Sequence, residues 1–352
     1  MFLQNQWYVA AWDHEIGYDP VSRTICGIPV MLYRRMDGTI AAMRDACPHR
    51  LLPLSMGMRE GDNIRCRYHG LLLDSHGQAV EMPMRGDDVN QSVHCPTLTA
   101  VERFRLVWVW IGDANQADES ALPDYWMCEE PGWVFDGGLY HVKCDYRLMI
   151  DNLMDLTHET YVHPESIGQS ELLEAPIETR TEADRVIVRR WMANVEPPPA
   201  WRGPTGAGGR VDRWQICNFI PPASVLIDVG TVPAGSGPTL DDHPVRSFVV
   251  DFMTPETETT CWYFWGAARK AGDGDHRTGT DRTKTVQGRV FMQDVEVLEA
   301  QQKSILANPD MKLQAYNIDA GGVRSRLLLQ RLIKAQRDGA KAEKTREAAK
   351  AH

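Results

Sequence analysis

Cys47-Pro48-His49-Arg50 and, separated from His49 by 16 residues, Cys66-Arg67-Tyr68-His69-Gly70 are the segments from which the rest of the chain can be read. Each places a cysteine and a histidine within a few positions, between short strand-like runs. Pro48, Pro53 and Gly57 stiffen the first loop, and Gly70 marks a turn in the second. Two thiolates and two imidazoles on two loops suit zinc. They suit equally a two-iron, two-sulfur centre with both cysteines on one iron and both histidines on the other. Spacing alone separates these poorly. The flanks help: zinc fingers carry their histidines on a helix, whereas His69-Gly70 runs into strand-like Leu71-Leu72-Leu73.

Working outward, residues 7–11, 24–34, 39–44, 63–66, 98–101 and 106–111 read as further short strands, with Met36-Asp37-Gly38 and Ser75-His76-Gly77 as turns. Residues 106–111 are large and apolar at every position, as expected of a strand buried on both faces or at a subunit contact. Many short strands and few helices predict a small all-β domain over residues 1–115. A polar, acidic stretch containing Pro123 and Pro131 predicts a linker over 116–135.

The second informative stretch is Asp151-Asn152-Leu153-Met154-Asp155-Leu156-Thr157-His158-Glu159-Thr160-Tyr161-Val162-His163. Without Pro or Gly it reads as a helix to about Tyr161, stopped by Pro164. Asp151, Asp155 and His158 would then share one face. Two histidines five apart, with a break after the second, can converge on one ion. An oxygen ligand from elsewhere would complete a two-histidine, one-carboxylate face of the kind that binds non-haem Fe(II). Two surface histidines near a helix end are the other reading. Downstream, residues 214–219, 224–231, 246–253 and 259–266 are aromatic and β-branched, predicting an antiparallel sheet with helices on one side. Residues 285–306 read as a long helix carrying Asp294, Glu296 and Glu299, and 322–338 as a basic amphipathic one. The predicted class is α+β: the β domain, then a helix-grip-like catalytic domain over 136–340, then a disordered tail over 341–352. The loop over 197–210 is either a lid beside a pocket or a plain surface insertion.

The chain has 352 residues, long for one domain and comfortable for two. Its formal net charge of −10 argues against a general nucleic-acid binder. No run is apolar enough to span a membrane and the first residues do not resemble a signal peptide. Eight irregularly spaced cysteines fit a reducing cytosol. No GxGxxG strand-turn-helix unit is present, so direct binding of NAD(P)H is not expected.

Cys-Pro-His-Arg, 16 residues, then Cys-x-Tyr-His-Gly resembles the Rieske signature, and residues 151–163, within a longer likeness over 138–163, resemble the mononuclear iron motif of the Rieske non-haem iron aromatic oxygenases. The likeness continues through Trp214-Gln215-Ile216-Cys217, residues 248–256, 262–266 and 317–323. It departs at Leu51-Leu52, where relatives often have a Gly-containing pair. The resemblance implies a Rieske [2Fe-2S] cluster on Cys47, His49, Cys66 and His69, and Fe(II) on His158, His163 and Asp294. It chooses Asp294 over its helix neighbours, makes Asp155 the bridge from a cluster histidine to His158, and puts Asn152 near the open iron face. It implies a homotrimer in which one subunit's cluster serves the next subunit's iron. Its partner would be a flavin and [2Fe-2S] reductase drawing on NADH, with Arg50, Arg65 and Arg67 as candidate contacts. The implied reaction is O2-dependent removal of a methyl group from a small methoxylated aromatic acid, with vanillate giving protocatechuate and formaldehyde. Rival readings are a related oxygenase acting on another aromatic acid, or dihydroxylating the ring, and a zinc-binding structural protein. An apolar pocket should clamp the aryl ring. Trp214, Phe219, Phe248, Phe252, Trp262 and Phe264 are candidates for that role, with Asp251 for a phenolic hydroxyl and Arg213 for the acid.

Overall fold

The computed structural model describes residues 1–350 apart from 85, 87, 203–208, 238–245 and 272–275. The chain divides into two compact units, Met1–Asp124 with Thr254–Thr257, and Tyr125–Met253 with Glu258–His352. The division falls inside the stretch read as a linker.

The first unit is built from strands β1 (Gln6–Trp12), β2 (Val21–Ile25), β3 (Ile28–Arg34), β4 (Ile40–Arg44), β5 (Met58–Glu60), β6 (Asn63–Arg65), β7 (Leu72–Leu73), β8 (Ala79–Glu81), β9 (Ala100–Arg103) and β10 (Leu106–Ile111). They form three antiparallel sheets, ordered β1-β10-β9, β2-β3-β4 and β5-β6-β7-β8. All six residues of β10 are buried, between β1 and β9, so its unbroken apolar run is explained inside the unit. Met31, Tyr33, Met43, Leu54, Ile64 and Leu73 pack with Cys47 and Cys66 in one apolar cluster. Burial of such side chains stabilises by roughly 1.5–3 kcal/mol each, and here it anchors the stems of the two cysteine loops.

The second unit holds a seven-stranded sheet, ordered β11-β17-β16-β15-β14-β13-β12. Its strands are β11 (Trp133–Val142), β12 (Ile177–Thr181), β13 (Val186–Val195), β14 (Val211–Ile220), β15 (Ser224–Pro233), β16 (Arg246–Pro255) and β17 (Cys261–Lys270). β11 has no counterpart among the strands expected from the sequence. Asp136, Gly137 and Gly138 disfavour a strand by propensity. Here they permit close pairing with β17: a Cβ on Gly137 would lie 1.8 Å from the Trp265 carbonyl oxygen.

Among the described residues, the α-helices that accompany the sheet are α1 (Tyr146–Leu153), α2 (Glu159–Val162), α3 (His276–Ala307) and α4 (Ala320–Lys350). The single helix expected through Tyr161 is interrupted. Asp155 is extended (φ −134°) and its Oδ1 accepts from the Thr157 N–H at 3.0 Å. A short acidic side chain that caps a following turn competes with helix continuation. Asp151 and Asp155 therefore do not share a helix face. Asp151 pairs instead with Arg326 on α4, its Oδ2 2.8 Å from Nε. The tail expected to be disordered is helical in the described part, α4 running to Lys350; its Ala, Lys and Glu content favours helix. Residues 203–208 of the loop weighed as a lid, and residues 351–352, lie outside the described residues.

Candidate metal centres

The two cysteine loops close in the same way. The Cys47 N–H donates to the Leu52 carbonyl and the Leu51 N–H to the Cys47 carbonyl, both at 2.8 Å. The Cys66 N–H donates to the Leu71 carbonyl at 2.8 Å and the Gly70 N–H to the Cys66 carbonyl at 3.0 Å. The fifth residue of each turn is left-handed, Leu51 at φ +58° and Gly70 at φ +83°. The loops touch closely, since a Cβ on Gly57 would meet the Arg65 carbonyl oxygen at 2.5 Å. Cys47 and Cys66 are buried, while His49 and His69 are at the rim with ring centroids 4.5 Å apart. Burial pushes the Cys47 thiol up, with the N–H groups of His49 and Arg50 aimed at its sulfur and Cys66 beside it. Two inner sulfurs and two adjacent imidazoles at the rim fit a cluster whose cysteines share the inner iron and whose histidines share the outer one. Arg65 is not free to meet a partner: it pairs with Glu60 and Glu81 and donates to the Gly70 carbonyl. It serves the loop.

The second centre lies in the other unit. The break after Asp155 and the turn at His163 bring both histidines to Asp294 of α3. Its Oδ1 is 3.3 Å from His158 Nε2 and 3.1 Å from His163 Nε2, and the three ligand atoms lie within 4.8 Å of one another. The other ring nitrogens are occupied. His158 Nδ1 meets the Asp155 carbonyl at 2.7 Å and His163 Nδ1 meets Gln293 Oε1 at 2.8 Å. Such outer contacts orient an imidazole for metal binding through Nε2. Burial raises Asp294, but hydrogen bonds from the two histidines outweigh it and hold the carboxyl below its ordinary value. Burial lowers His158 and Asp294 overrides it, a raised imidazole. Asn152 donates to Asp294 at 3.2 Å, and its Oδ1 is buried without a partner. The helix neighbours are otherwise engaged: Glu296 is exposed, and Glu299 accepts from the Lys143 N–H at 2.9 Å.

Strand parity sorts the pocket candidates. Gln215 and Arg213 reach Glu159 of α2, so odd-numbered β14 residues, Phe219 among them, face the helices. Asp251 shares that face through the pairings Phe219↔Val225 and Val225↔Asp251, and it accepts from Tyr263 at 2.7 Å. Tyr263 packs on Phe291 of α3, 5.4 Å between centroids. Trp214, Phe252 and Trp262 point to the opposite face and are corrected as pocket residues. Trp214 donates to Asp228 and lies 6.2 Å from Trp191, Phe252 meets Tyr125, and Trp262 meets His141. Phe248 and Phe264 share the parity of Phe252 and Trp262 on their strands and go with them. Arg213 is corrected too. It is 1% exposed, and its guanidinium is committed to Glu159 at 3.0 Å, Gln169 and the Ile167 carbonyl. Gln293, Tyr263 and Arg190 carry no signal of their own in the sequence. Gln293 adjoins Asp294 and Tyr263 lies between two aromatic candidates, yet nothing local indicates the faces they share.

Residues 142–335 match the vanillate O-demethylase oxygenase C-terminal domain, and residues 6–98 the Rieske [2Fe-2S] domain. The chain is 46% identical to a vanillate O-demethylase oxygenase subunit from a Pseudomonas species, covering 97% of this chain and 98% of that one. It is 36% identical to the iron-sulfur subunit of a toluene-4-sulfonate monooxygenase system from Comamonas testosteroni, over 96% and 99%. A crystal structure of dicamba monooxygenase with non-heme iron and dicamba superposes with a TM-score of 0.81 at 30% identity, over 96% and 99%. Matched at both ends and carrying both donor sets, the chain belongs to the vanillate O-demethylase oxygenase family of Rieske non-haem iron oxygenases.

Proposed function

We propose that the chain is the terminal oxygenase of a multicomponent system that demethylates vanillate to protocatechuate and formaldehyde. O2 would be the oxidant, and electrons would come from NADH through a flavin and [2Fe-2S] reductase. The observation that carries this reading is 46% identity over nearly the full length to a vanillate O-demethylase subunit, with the His158, His163 and Asp294 side chains converging in one site. Cys47, His49, Cys66 and His69 would hold the cluster. His158 and His163 would hold Fe(II) through Nε2, with Asp294 as the carboxylate ligand. Bound there, the iron supplies O2 activation and oxidation of the methoxy carbon. The residues of the chain hold and orient. Asp155 and Gln293 fix the two rings, and Asn152 steadies Asp294 while keeping Oδ1 open.

Asp251 supports the choice of a 4-hydroxylated substrate. One oxygen is taken by Tyr263, while Oδ2 is buried without a partner. Burial pushes its carboxyl well above the ordinary range, with Asp294 adding to the rise. The open Oδ2 there would meet a phenolic hydroxyl, and burial disfavours the charge that would repel the anionic ring acid. No helix of the described residues is long and apolar enough to cross a membrane. Dependence on NADH and a reductase supports a cytoplasmic location. Family likeness supports a homotrimer in which Asp155 carries electrons between subunits.

One assay tests the substrate. With reductase, NADH and O2, vanillate should release formaldehyde faster than veratrate, which lacks the free hydroxyl, with syringate included for range. Asp251→Ala should narrow the vanillate-to-veratrate ratio about 10-fold or more, the scale of a lost buried polar contact. Rapid veratrate turnover with vanillate uncoupled would refute both the substrate and the role of Asp251.

A further inference from the structure

Arg190 on β13 is 5% exposed and makes one strong hydrogen bond, from Nη2 to the Thr157 hydroxyl at 2.7 Å. Its Nε and Nη1 are buried without partners. Buried guanidinium groups are normally paired, and an unpaired one destabilises the fold. The surrounding charges narrow what this one does. Glu159 is saturated by Arg213 and Gln215. Arg190 and Asp155 line the same small pocket, about 10 Å³, with Leu156, Val188, Gln215 and Cys217. Arg190 Nη2 is 4.0 Å from Asp155 Oδ1. That oxygen accepts the Thr157 N–H, and Thr157 in turn receives the arginine. The Asp155 carbonyl, meanwhile, holds His158 Nδ1. One residue thus offers its backbone to the iron-site histidine while its side chain, 17% exposed, lines the pocket. Thr157 and Arg190 fasten that side chain from behind.

We propose that Arg190 is a positioning residue for electron entry, holding the Asp155 carboxyl group, through Thr157 and across the shared pocket, where a neighbouring subunit's cluster histidine meets it. The inference rests on the bridging role assigned to Asp155. In the step concerned, one electron leaves the reduced cluster and arrives at the mononuclear iron, the reductase having supplied it. Arg190 itself is neither oxidised nor reduced.

The test uses the whole oxygenase with cluster and iron loaded. The protein is reduced anaerobically and mixed with substrate and O2, and cluster oxidation is followed by visible absorption. Arg190→Met should slow that oxidation about 10- to 100-fold, the scale of a misplaced group. Iron content, cluster content and the KM for the aromatic acid should stay near parental values. Product formation driven by hydrogen peroxide should also persist, because peroxide supplies oxygen and electrons together. Asp155→Asn/Arg190→Met should be no slower than Asp155→Asn, since residues acting through one contact do not add. If Arg190→Met fails to fold, Arg190→Lys carries the test. It keeps the charge without the planar fork and should be about 3- to 10-fold slower. Parental cluster oxidation in a folded Arg190 variant, additive losses in the double variant, or an equal loss of peroxide-driven product would overturn the inference. If Asp155→Asn itself runs at the parental rate, the bridge fails. If it is slow while Arg190→Met is unaffected, only the role of Arg190 fails.

Discussion

The two candidate metal centres are assembled by opposite routes. The cluster site is two copies of one local device, a turn in which a cysteine N–H and C=O both bond a few residues ahead. Each loop brings its own cysteine and histidine, and the apolar cluster around Met31, Tyr33 and Ile64 has only to hold the two turns together. The iron site has no such repeat. His158 and His163 flank the short helix α2, which follows the turn capped by Asp155, and Asp294 comes from a helix more than a hundred residues later. Its hydrogen-bond supports are separate too, Gln293 for one histidine and the Asp155 carbonyl for the other. A site made of local turns tolerates little change within each turn. One assembled across elements depends on the packing of α3 against the sheet.

The largest expected effect is on the local device. Cys66→Ala removes an inner sulfur and should abolish the visible absorption of the cluster, while far-ultraviolet circular dichroism still reports a folded second unit. A complete cluster spectrum in the variant would remove Cys66 from the ligand set. Asp294→Ala sharpens the contrast from the other side. Iron retained by the mononuclear site should fall at least about 10-fold, the scale of losing a supporting ligand contact, with the cluster spectrum unchanged. Full iron occupancy by metal analysis would show that Asp294 is not a ligand.

The smallest effect separates the two loops from each other. Leu51 is 72% exposed and occupies at φ +58° the position that Gly70 occupies at φ +83° in the second loop. Left-handed backbone costs a residue with a side chain roughly 1–2 kcal/mol, of which glycine's greater freedom when unfolded returns part. Leu51→Gly should therefore stabilise the first unit by about 0.5–1 kcal/mol, measured by denaturant unfolding of the cluster-loaded protein. Gly70→Ala should destabilise it by about 1 kcal/mol. No Cβ clash intervenes at Gly70, since nothing lies within 4 Å of the added atom. Equal stability of Leu51→Gly and parent would mean that contacts of the leucine offset the strain.

The cluster site is legible in the amino-acid sequence for the same reason that it is local. Its Cys/His pairs announce themselves because the ligands are neighbours along the chain, and a turn needs only its own residues to form. β10 is legible because six consecutive large apolar residues have few other places to go. The helix break at Asp155 is not, because an aspartate inside a helix and one capping a turn look alike until its oxygen is seen on the Thr157 N–H. The substrate residues are the least legible of all. In a strand, alternate side chains take opposite faces, and propensity does not say which face the helices will cover. Thus Asp251 lies on the helix-covered face while Phe252 beside it does not, and Arg213 is consumed by Glu159 of α2.

By itself the sequence determined two groups of candidate donors, the cysteine–histidine loops and the histidine pair, and the β-then-α+β order of the chain. These follow from short-range chemistry: cysteine and histidine ligands in loops, apolar periodicity, turn residues. The residues alone left Asp294, Glu296 and Glu299 unranked and the resemblance chose Asp294; the tertiary structure brings its Oδ1 to both histidine Nε2 atoms. It also decided that Asp251 keeps one oxygen without a partner and that Arg190 stands behind Asp155. Those facts depend on strand register and on the angle at which α3 crosses the sheet. Both are set by the sum of many weak packing contacts spread along the whole chain, and no single segment carries them.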